Sequence, residues 1–319
     1  MKRVHVVAAV IEGEVDRRQH QILLARRPDH LHQGGKWEFP GGKVEPGESV
    51  LPALQRELKE ELNLEVTRAE PLIKISHDYP DKKVLLDVWK VTQFNGPPQG
   101  LEGQEIRWVC KSQLGDYEFP AANVPIVTAA QLPRRYVISP EVGTSLSAYL
   151  DQLKATVASG AELIQLRAKT ATQSQWEAIQ RCVRELKSRY RVEVLVNSDI
   201  AGVDANEFDG IHLTSRDLQA MQRRPEGVRW LSASCHSAEQ IACAERLGVD
   251  FVTLSPVFAT SSHPGAACLG KDDFAKLVCD AKVPVYALGG LKAGHLDWCL
   301  EAGAQGVAAI TGLWGTSMQ

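Results

Sequence analysis

From residue 136 onward, short β-branched and apolar runs recur with helix-length segments between them. The runs are Tyr136–Ser139, Leu163–Arg167, Val194–Asn197, Gly210–Thr214, Leu231–Cys235, Phe251–Ser255, Val285–Gly289 and Val307–Ile310. Near-continuous apolar strands are those of a parallel sheet covered on both faces. Eight of them, separated by helical stretches such as 173–189, 237–247 and 292–302, predict a compact (β/α)8 barrel. An open doubly wound sheet is the competing arrangement.

The first part of the chain has a different texture. Residues 4–11, 20–25 and 83–91 read as strands, 50–62 as one strong helix, and Asn95-Gly96-Pro97-Pro98-Gln99-Gly100 as a loop. Residues 123–131 predict a closing helix that Pro133 would stop. The expected division is 1–131 and 135–319, joined by Leu132-Pro133-Arg134-Arg135, and 319 residues is a two-domain length. The overall class is α/β.

Charge narrows the function. Thirty-six Lys and Arg stand against 39 Asp and Glu, so the chain lacks the basic excess that displaces counterions from a nucleic-acid polymer. A nucleotide as a single molecule needs only a local basic cluster. No apolar run approaches the roughly 18 residues that cross a bilayer. The amino-terminal run Val4–Ile11 carries His5 and leads into Glu12, Glu14 and Asp16, which fits a first strand better than a signal peptide. Seven cysteines without a CxxC pair suggest reduced thiols in a cytoplasmic protein.

The chemistry of the first part centres on Gly42-Lys43-Val44-Glu45-Pro46-Gly47-Glu48 and, seven residues on, Arg56-Glu57-Leu58-Lys59-Glu60-Glu61-Leu62-Asn63-Leu64. On a helix, Glu57, Glu60 and Glu61 fall at i, i+3 and i+4 and share one face. Like charges so placed repel, so the cluster reads as a site for a hard cation; Mg²⁺ takes oxygen ligands and is commonly shared with substrate phosphates. Leu54, Leu58 and Leu62 form a second stripe that would pack on a sheet, and Ser49 is a candidate N-cap.

This spacing resembles the Nudix box, Gx5Ex7REUxEExGU with U aliphatic. All charged positions are present, and the late Gly is replaced by Asn63, a residue that tolerates left-handed backbone. Arg26-Arg27, Lys36-Trp37-Glu38-Phe39-Pro40-Gly41-Gly42-Lys43, Tyr79-Pro80-Asp81-Lys82, Glu102-Gly103-Gln104 and Phe119-Pro120-Ala121-Ala122-Asn123 narrow the resemblance to the MutT-like 8-oxo-dGTP diphosphatases. It implies an α/β/α sandwich with a mixed sheet. It also implies Mg²⁺, with Mn²⁺ as an alternative, held by the Gly42 carbonyl, Glu57, Glu60, Glu61 and Glu102. Glu48 and Arg56 would brace the loop–helix junction. Arg27, His32 and Lys82 would face the triphosphate, and Phe39 and Asn123 would receive the base. Glu57 and Glu102 are both candidates for the general base. Each outlying position has a plainer reading: Asn123 as a helix cap, His32 and Glu102 as surface loop residues, Phe39 as core. Lys82 stands where the family usually has Arg.

In a (β/α)8 barrel, chemistry sits at the carboxyl ends of the strands, with phosphate held after strands seven and eight. Ala287-Leu288-Gly289-Gly290-Leu291 and Ala309-Ile310-Thr311-Gly312 occupy those places. With Gln165-Leu166-Arg167-Ala168-Lys169, Val196-Asn197-Ser198-Asp199, His212–Asp217 and Ser234-Cys235-His236, they resemble the thiamine phosphate synthase and TenI superfamily. The matching positions are Gln165, Arg167, Lys169, Asn197, Asp217, Ser234, Thr260 and Gly290. The resemblance implies that Arg167 and Lys169 meet a pyrophosphate, Asp217 a Mg²⁺, and Gly290 a thiazole phosphate. Two departures weaken the synthase chemistry: Ser198 replaces an Asp, with Asp199 expected on the other face, and His263 stands where a Lys is expected. The histidine of TenI-type tautomerases is Pro256 here. Adjacent Cys235 and His236 are expected to face opposite ways and to be structural.

The expected function is therefore Mg²⁺-dependent hydrolysis of a nucleoside triphosphate. The foremost candidate is 8-oxo-dGTP, cleansed from the precursor pool for DNA replication and repair, and a phosphate-binding barrel is appended. Alternatives are a bifunctional enzyme that also makes thiamine phosphate, and a barrel that only senses a thiamine-related ligand. Neither a nucleic-acid polymer nor a membrane is an expected partner.

Overall fold

The computed structural model describes residues 3–16, 19–30, 33–78, 83–200, 207–260, 265 and 267–315. The chain divides into two compact units, 1–131 and 132–319.

In the first unit, β1 (Arg3–Asp16), β2 (Gln19–Arg26), β3 (Trp37–Glu38), β4 (Glu65–Asp78), β5 (Lys83–Asn95) and β6 (Ile106–Cys110) form a mixed sheet in the order β3-β2-β1-β5-β4, with β6 also on β2. Only the β1–β5 pair is parallel. Period-two alternation sorts the side chains onto two layers. Val7, Ala9, Ile11 and Leu23 meet Leu54, Leu58 and Leu62 of α1 (Val50–Leu62). Ala8, Val10, Ile22 and Leu24 meet Ile126, Ala129 and Ala130 of α2 (Val124–Gln131) on the opposite face. The result is an α/β/α sandwich.

The sequence pattern does not disclose β3, β4 or β6. β4 carries Pro71, and its register on β5 shifts between Val66 and Arg68, Arg68 and Ala69, and Pro71 and Ile73. Each shift offsets the alternation by which a strand is recognised. β3 has two residues and β6 five, too short for a period.

In the second unit, eight parallel strands close a barrel. They are β7 (Arg135–Ile138), β8 (Leu163–Leu166), β9 (Glu193–Asn197), β10 (Gly210–Leu213), β11 (Trp230–Cys235), β12 (Phe251–Leu254), β13 (Val285–Leu288) and β14 (Gly306–Ala309). Every apolar run singled out above forms one of them, and the doubly wound alternative is set aside. Among the helices, α3 (Gln173–Arg189) and α4 (Ala238–Leu247) lie where the sequence predicts them, whereas 292–302 divides into a 3-10 turn and a short α5 (Leu296–Glu301). Tyr136, Trp230, Phe251 and Tyr286, each at or near the start of its strand, plug the lumen with edge-on and tilted ring contacts. Aromatic filling of the amino-terminal end leaves the carboxyl ends of the strands as the open mouth. Among the described residues, no helix is long and apolar enough to cross a membrane.

Candidate active site and barrel pocket

The carboxylate face of α1 is held against the loop before it. Asn63 ends the helix with φ +58°, a left-handed cap whose N–H reaches back to the last turn. Asn thus does there what the family's Gly does. Ser49 occupies the N-cap position, but its side chain makes no capping bond. Arg56 gathers the junction. Its guanidinium donates to both oxygens of Glu48 (3.1 and 3.0 Å), to Glu57 (2.9 Å), to Glu60 (3.3 Å) and to the Lys43 carbonyl (3.0 Å). The hydrogen bonds from Arg56 and the Glu45 N–H hold the Glu48 carboxyl below its usual range.

Gly42 lies directly under this face. A Cβ there would stand 2.2 Å from Glu57 Oε2, so the carboxylate occupies the space a side chain would take. The Gly42 carbonyl accepts the Val7 N–H at 2.8 Å, which leaves its second lone pair. Glu61 accepts the Gly41 N–H at 3.0 Å. Burial nevertheless raises the Glu61 carboxyl to about 8, and the charges of Glu102, Glu38 and Glu57 push the same way. Glu102 lies exposed on the loop after β5, which Gln104 fastens to the end of α1 through the Glu61 carbonyl (3.0 Å).

Other expected site residues sit less simply. Arg27 is ion-paired with Glu38, a carboxylate not anticipated from the sequence, whose pKa is raised by burial against the opposing pull of Arg27. Phe39 is 4% exposed and stacks on Phe119 at 5.6 Å, so it packs in the core. Asn123 Oδ1 meets the Phe39 N–H at 3.5 Å, the outer limit of a hydrogen bond, and Asn123 ends a 3-10 turn leading into α2. His32 and Lys82 lie outside the described residues.

In the barrel, a cavity of about 1190 Å³ opens at the carboxyl ends of the strands. Gln165, Arg167, Lys169, Asn197, Ser234, Thr260 and Gly290 all line it. Asp217 does not; it stands behind the wall and accepts the Ser198 hydroxyl at 2.5 Å. Burial alone would raise its pKa, but hydrogen bonds from Ser198, Thr214 and Arg216 lower it. Asp199 departs from expectation. Residues 198 and 199 form a turn, not extended chain, and Asp199 reaches Lys169 at 2.6 Å. Gly290 has φ +67°, and a Cβ would press on the Ala259 carbonyl oxygen at 2.6 Å, so loop packing alone demands glycine there.

Two histidines not singled out as site residues also line the cavity. Cys235 is buried and faces away, its thiol pushed up by burial, so no Cys/His pair forms. His236 donates from Nδ1 to the Ser255 carbonyl at 2.7 Å, which leaves Nε2 as the acceptor of the neutral ring. His236 is the residue just past β11, and like Ser234 it lines the cavity. His212 contacts Ser232 Oγ (2.6 Å) through Nδ1 and Ser234 Oγ (2.8 Å) through Nε2. Burial, reinforced by the Lys169 charge, lowers its pKa to about 3. His212 therefore orients Ser234 as a neutral ring and is a poor base toward it.

Comparison with known proteins agrees with both geometries. The family described as thiamine monophosphate synthase matches residues 135–313, and the NUDIX domain matches residues 13–129. The putative thiamine-phosphate synthase 2 of Aquifex aeolicus is 32% identical over 182 residues, spanning 57% of this chain and 97% of its own length. The CTP pyrophosphohydrolase of Escherichia coli is 40% identical over 129 residues, spanning 40% of this chain and 92% of its own. This chain belongs to both families.

The 8-oxo-dGTP diphosphatase of Escherichia coli is also similar, at 34% identity over 127 residues, 40% of this chain and 95% of that one. The amino-terminal unit is thus a Nudix hydrolase unit, and the barrel is a member of the thiamine monophosphate synthase family. Nudix hydrolases generally use a divalent metal. Among the described residues, no three His, Cys, Asp or Glu side chains stand arranged to hold one, because Arg56 draws Glu57 and Glu60 to itself. The donor set still suits a hard cation: oxygen ligands only, with half-buried Glu61 near three further carboxylates.

Proposed function

We propose that the Nudix unit hydrolyses nucleoside triphosphates to monophosphates and pyrophosphate with Mg²⁺ or Mn²⁺, and that 8-oxo-dGTP is its foremost substrate. The observation that carries this reading is the acid cluster packed on the Gly41–Gly42 loop, where half-buried Glu61 accepts the Gly41 N–H at 3.0 Å and the Glu57 carboxylate fills the space beside Gly42. Arg56 and Arg27 offset part of this negative charge, and the excess at Glu61 and Glu102 favours an arriving cation. Gly42, Glu57, Glu60, Glu61 and Glu102 would hold the ion. When bound, it supplies positive charge against the phosphates and favours deprotonation of the attacking water.

The chain's own residues do the rest. Arg27, released from Glu38, meets the triphosphate, together with His32 and Lys82. Phe39 offers a ring to the base, and the Asn123 carboxamide offers a donor and an acceptor to its edge. Glu57 and Glu102 are the candidates to take the water proton. The water oxygen bonds to the β-phosphorus, the bond from that phosphorus to the bridging oxygen breaks, and the nucleoside monophosphate leaves.

The 40% identity to a CTP pyrophosphohydrolase supports a second reading, in which a pyrimidine is preferred. The purified chain, assayed with Mg²⁺ on 8-oxo-dGTP, dGTP and CTP, decides between them. The first reading expects kcat/KM for 8-oxo-dGTP at least tenfold above that for dGTP. Preference for CTP moves the specificity to the second reading, and hydrolysis of none of the three refutes both. For the barrel, the cavity lined by Arg167, Lys169 and the loops after β13 and β14 supports a thiamine-related phosphorylated ligand, bound for synthesis or for sensing.

A further inference from the structure

The thiamine monophosphate synthase family implies a pyrophosphate and a Mg²⁺ at the corner where β8, β9 and β10 end, and the residues of this chain do not fit that pair. Two carboxylates stand there, and each is already met by the protein. Asp217 accepts the Ser198 hydroxyl at 2.5 Å, and its other oxygen takes Arg216 at 3.3 Å. Asp199 is ion-paired with Lys169 at 2.6 Å. Ser198 is itself fixed: its N–H donates to the His212 carbonyl at 2.9 Å, and its Oγ accepts the Thr214 N–H at 3.1 Å. The residue in the place of the second metal carboxylate is therefore a hydroxyl donor that ties the first one down.

The same contacts withdraw the cation expected to meet a pyrophosphate. Lys169, 33% exposed, spends its charge on Asp199, and Arg167 faces Glu141 at 3.6 Å. One atom stands against this closure: Asp199 Oδ1 is buried without a hydrogen-bond partner. A divalent ion on that oxygen would lie beside the Lys169 ammonium, with no second free carboxylate to share it. The corner thus lacks both the anionic pair that holds a metal and the unspent cations that hold a pyrophosphate. The opposite rim differs. There the cavity is bounded by Gly289–Leu291, Thr311 and Gly312, whose backbone N–H groups can meet a phosphate, with Lys292 beside them.

We infer that the barrel does not hold the divalent ion and pyrophosphate of its family and takes a ligand whose charge is a single phosphate monoester, because Ser198 and Lys169 neutralise the corner that would hold metal and pyrophosphate. The inference rests on the reading of this cavity as a phosphate site. It is independent of the nucleotide chemistry proposed for the Nudix unit. Two sources supply such a monoester: a thiazole phosphate, or a nucleoside monophosphate of the kind the Nudix unit would release.

The full chain is titrated calorimetrically with hydroxyethylthiazole phosphate, dGMP and a pyrimidinylmethyl pyrophosphate, each in EDTA and in Mg²⁺. Hydrogen exchange over residues 165–169 and 285–294 assigns each event to the barrel. The expected result is that one monoester protects the barrel, with Kd the same within twofold in EDTA and Mg²⁺. The pyrophosphate should bind the barrel at least tenfold more weakly in both, and which monoester binds identifies the source. Ser198→Asp should then make pyrophosphate binding at least fivefold tighter with Mg²⁺ than without, and Ser198→Ala should leave monoester affinity within twofold. A tenfold loss of monoester binding in EDTA, or tighter pyrophosphate binding by the unaltered protein, overturns the inference and spares the phosphate site. Protection by neither monoester removes the phosphate site itself, and the inference with it.

Discussion

The two units each bring acids together near a site expected to receive phosphate, and they resolve the repulsion in opposite ways. On α1, Glu61 is half-buried with Glu38, Glu57 and Glu102 around it, and desolvation raises its carboxyl to about 8. At the barrel mouth, Asp199 and Asp217 are answered by Lys169 and Ser198, and the Asp217 carboxyl falls below its usual range. Arg56 and Arg27 meet Glu57, Glu60 and Glu38 but leave Glu61 and Glu102 in excess. Acids that outnumber their cations define a place for a metal ion, whereas acids matched one to one define a wall. The lesson is that a motif's residue types establish which chemistry is available, and their partners decide whether it is still open.

The strongest way to break this contrast is to remove one acid from each side. Glu57→Gln keeps the shape of the side chain against Gly42 and loses its charge. Nucleotide hydrolysis should fall by at least about 10³-fold, as expected for a group that serves both metal and proton transfer, while thermal stability stays close to that of the parent. Asp217→Asn in the barrel should leave nucleotide hydrolysis unchanged within twofold. Near-normal turnover of the Glu57 variant would end the assignment of the helix as catalytic.

A second test uses pH. His212 is neutral in the fold, with a pKa near 3 against an ordinary 6.5, so the unfolded chain binds the proton more readily. Its neutral form contributes stability that is complete above pH 6.5 and is lost as the pH falls from there toward 3. At pH 5, the difference of about 1.5 units corresponds to about 2 kcal/mol at roughly 1.4 kcal/mol per unit. Denaturant titrations of the barrel transition at pH 7.5 and pH 5 should differ by about that amount, and His212→Gln should flatten the slope. An unchanged slope in the variant would place the pH dependence elsewhere.

How much of this was legible beforehand follows the same contrast between residue types and partners. The barrel strands could be read because each is buried on both faces and written as an apolar run. β4 could not, because Pro71 and three register shifts break its alternation. The helix carboxylates could be found by spacing alone, since one helix fixes their face. Glu38 could not, because its role depends on Arg27 and on acids from α1 and the loop after β5, which only folding assembles. Asp199 differs from expectation for a related reason: the chain turns at 198–199 where the sequence suggests an extended strand, so strand alternation does not fix its direction and it reaches Lys169.

Gly42→Ala sharpens the comparison more gently. The added Cβ would enter the space of the Glu57 carboxylate at 2.2 Å, so the acid must move while its charge remains. Misplacing a catalytic group by about 1 Å costs on the order of 10²-fold in the worst case. A loss of about tenfold in kcat, between full function and the Glu57→Gln result, is expected because the flexible glutamate can partly readjust. Activity unchanged within twofold would mean that the resting position of Glu57 is not the position in which it works.

The smallest effect belongs to Asn63, the one position where the chain departs from the charged-and-glycine spacing of its family. Its φ of +58° is already left-handed, and its N–H already reaches the Leu58 and Lys59 carbonyls. Glycine would remove the steric cost of a Cβ in that conformation and would add freedom to the unfolded chain, two effects that oppose each other. Asn63→Gly should therefore change stability by less than about 1 kcal/mol and leave kcat/KM within twofold, measured by denaturant midpoint and initial rates. A tenfold change in rate would show that the amide of Asn63 acts on the carboxylate face itself. In that case the substitution would be a functional departure in this chain and not merely a tolerated cap.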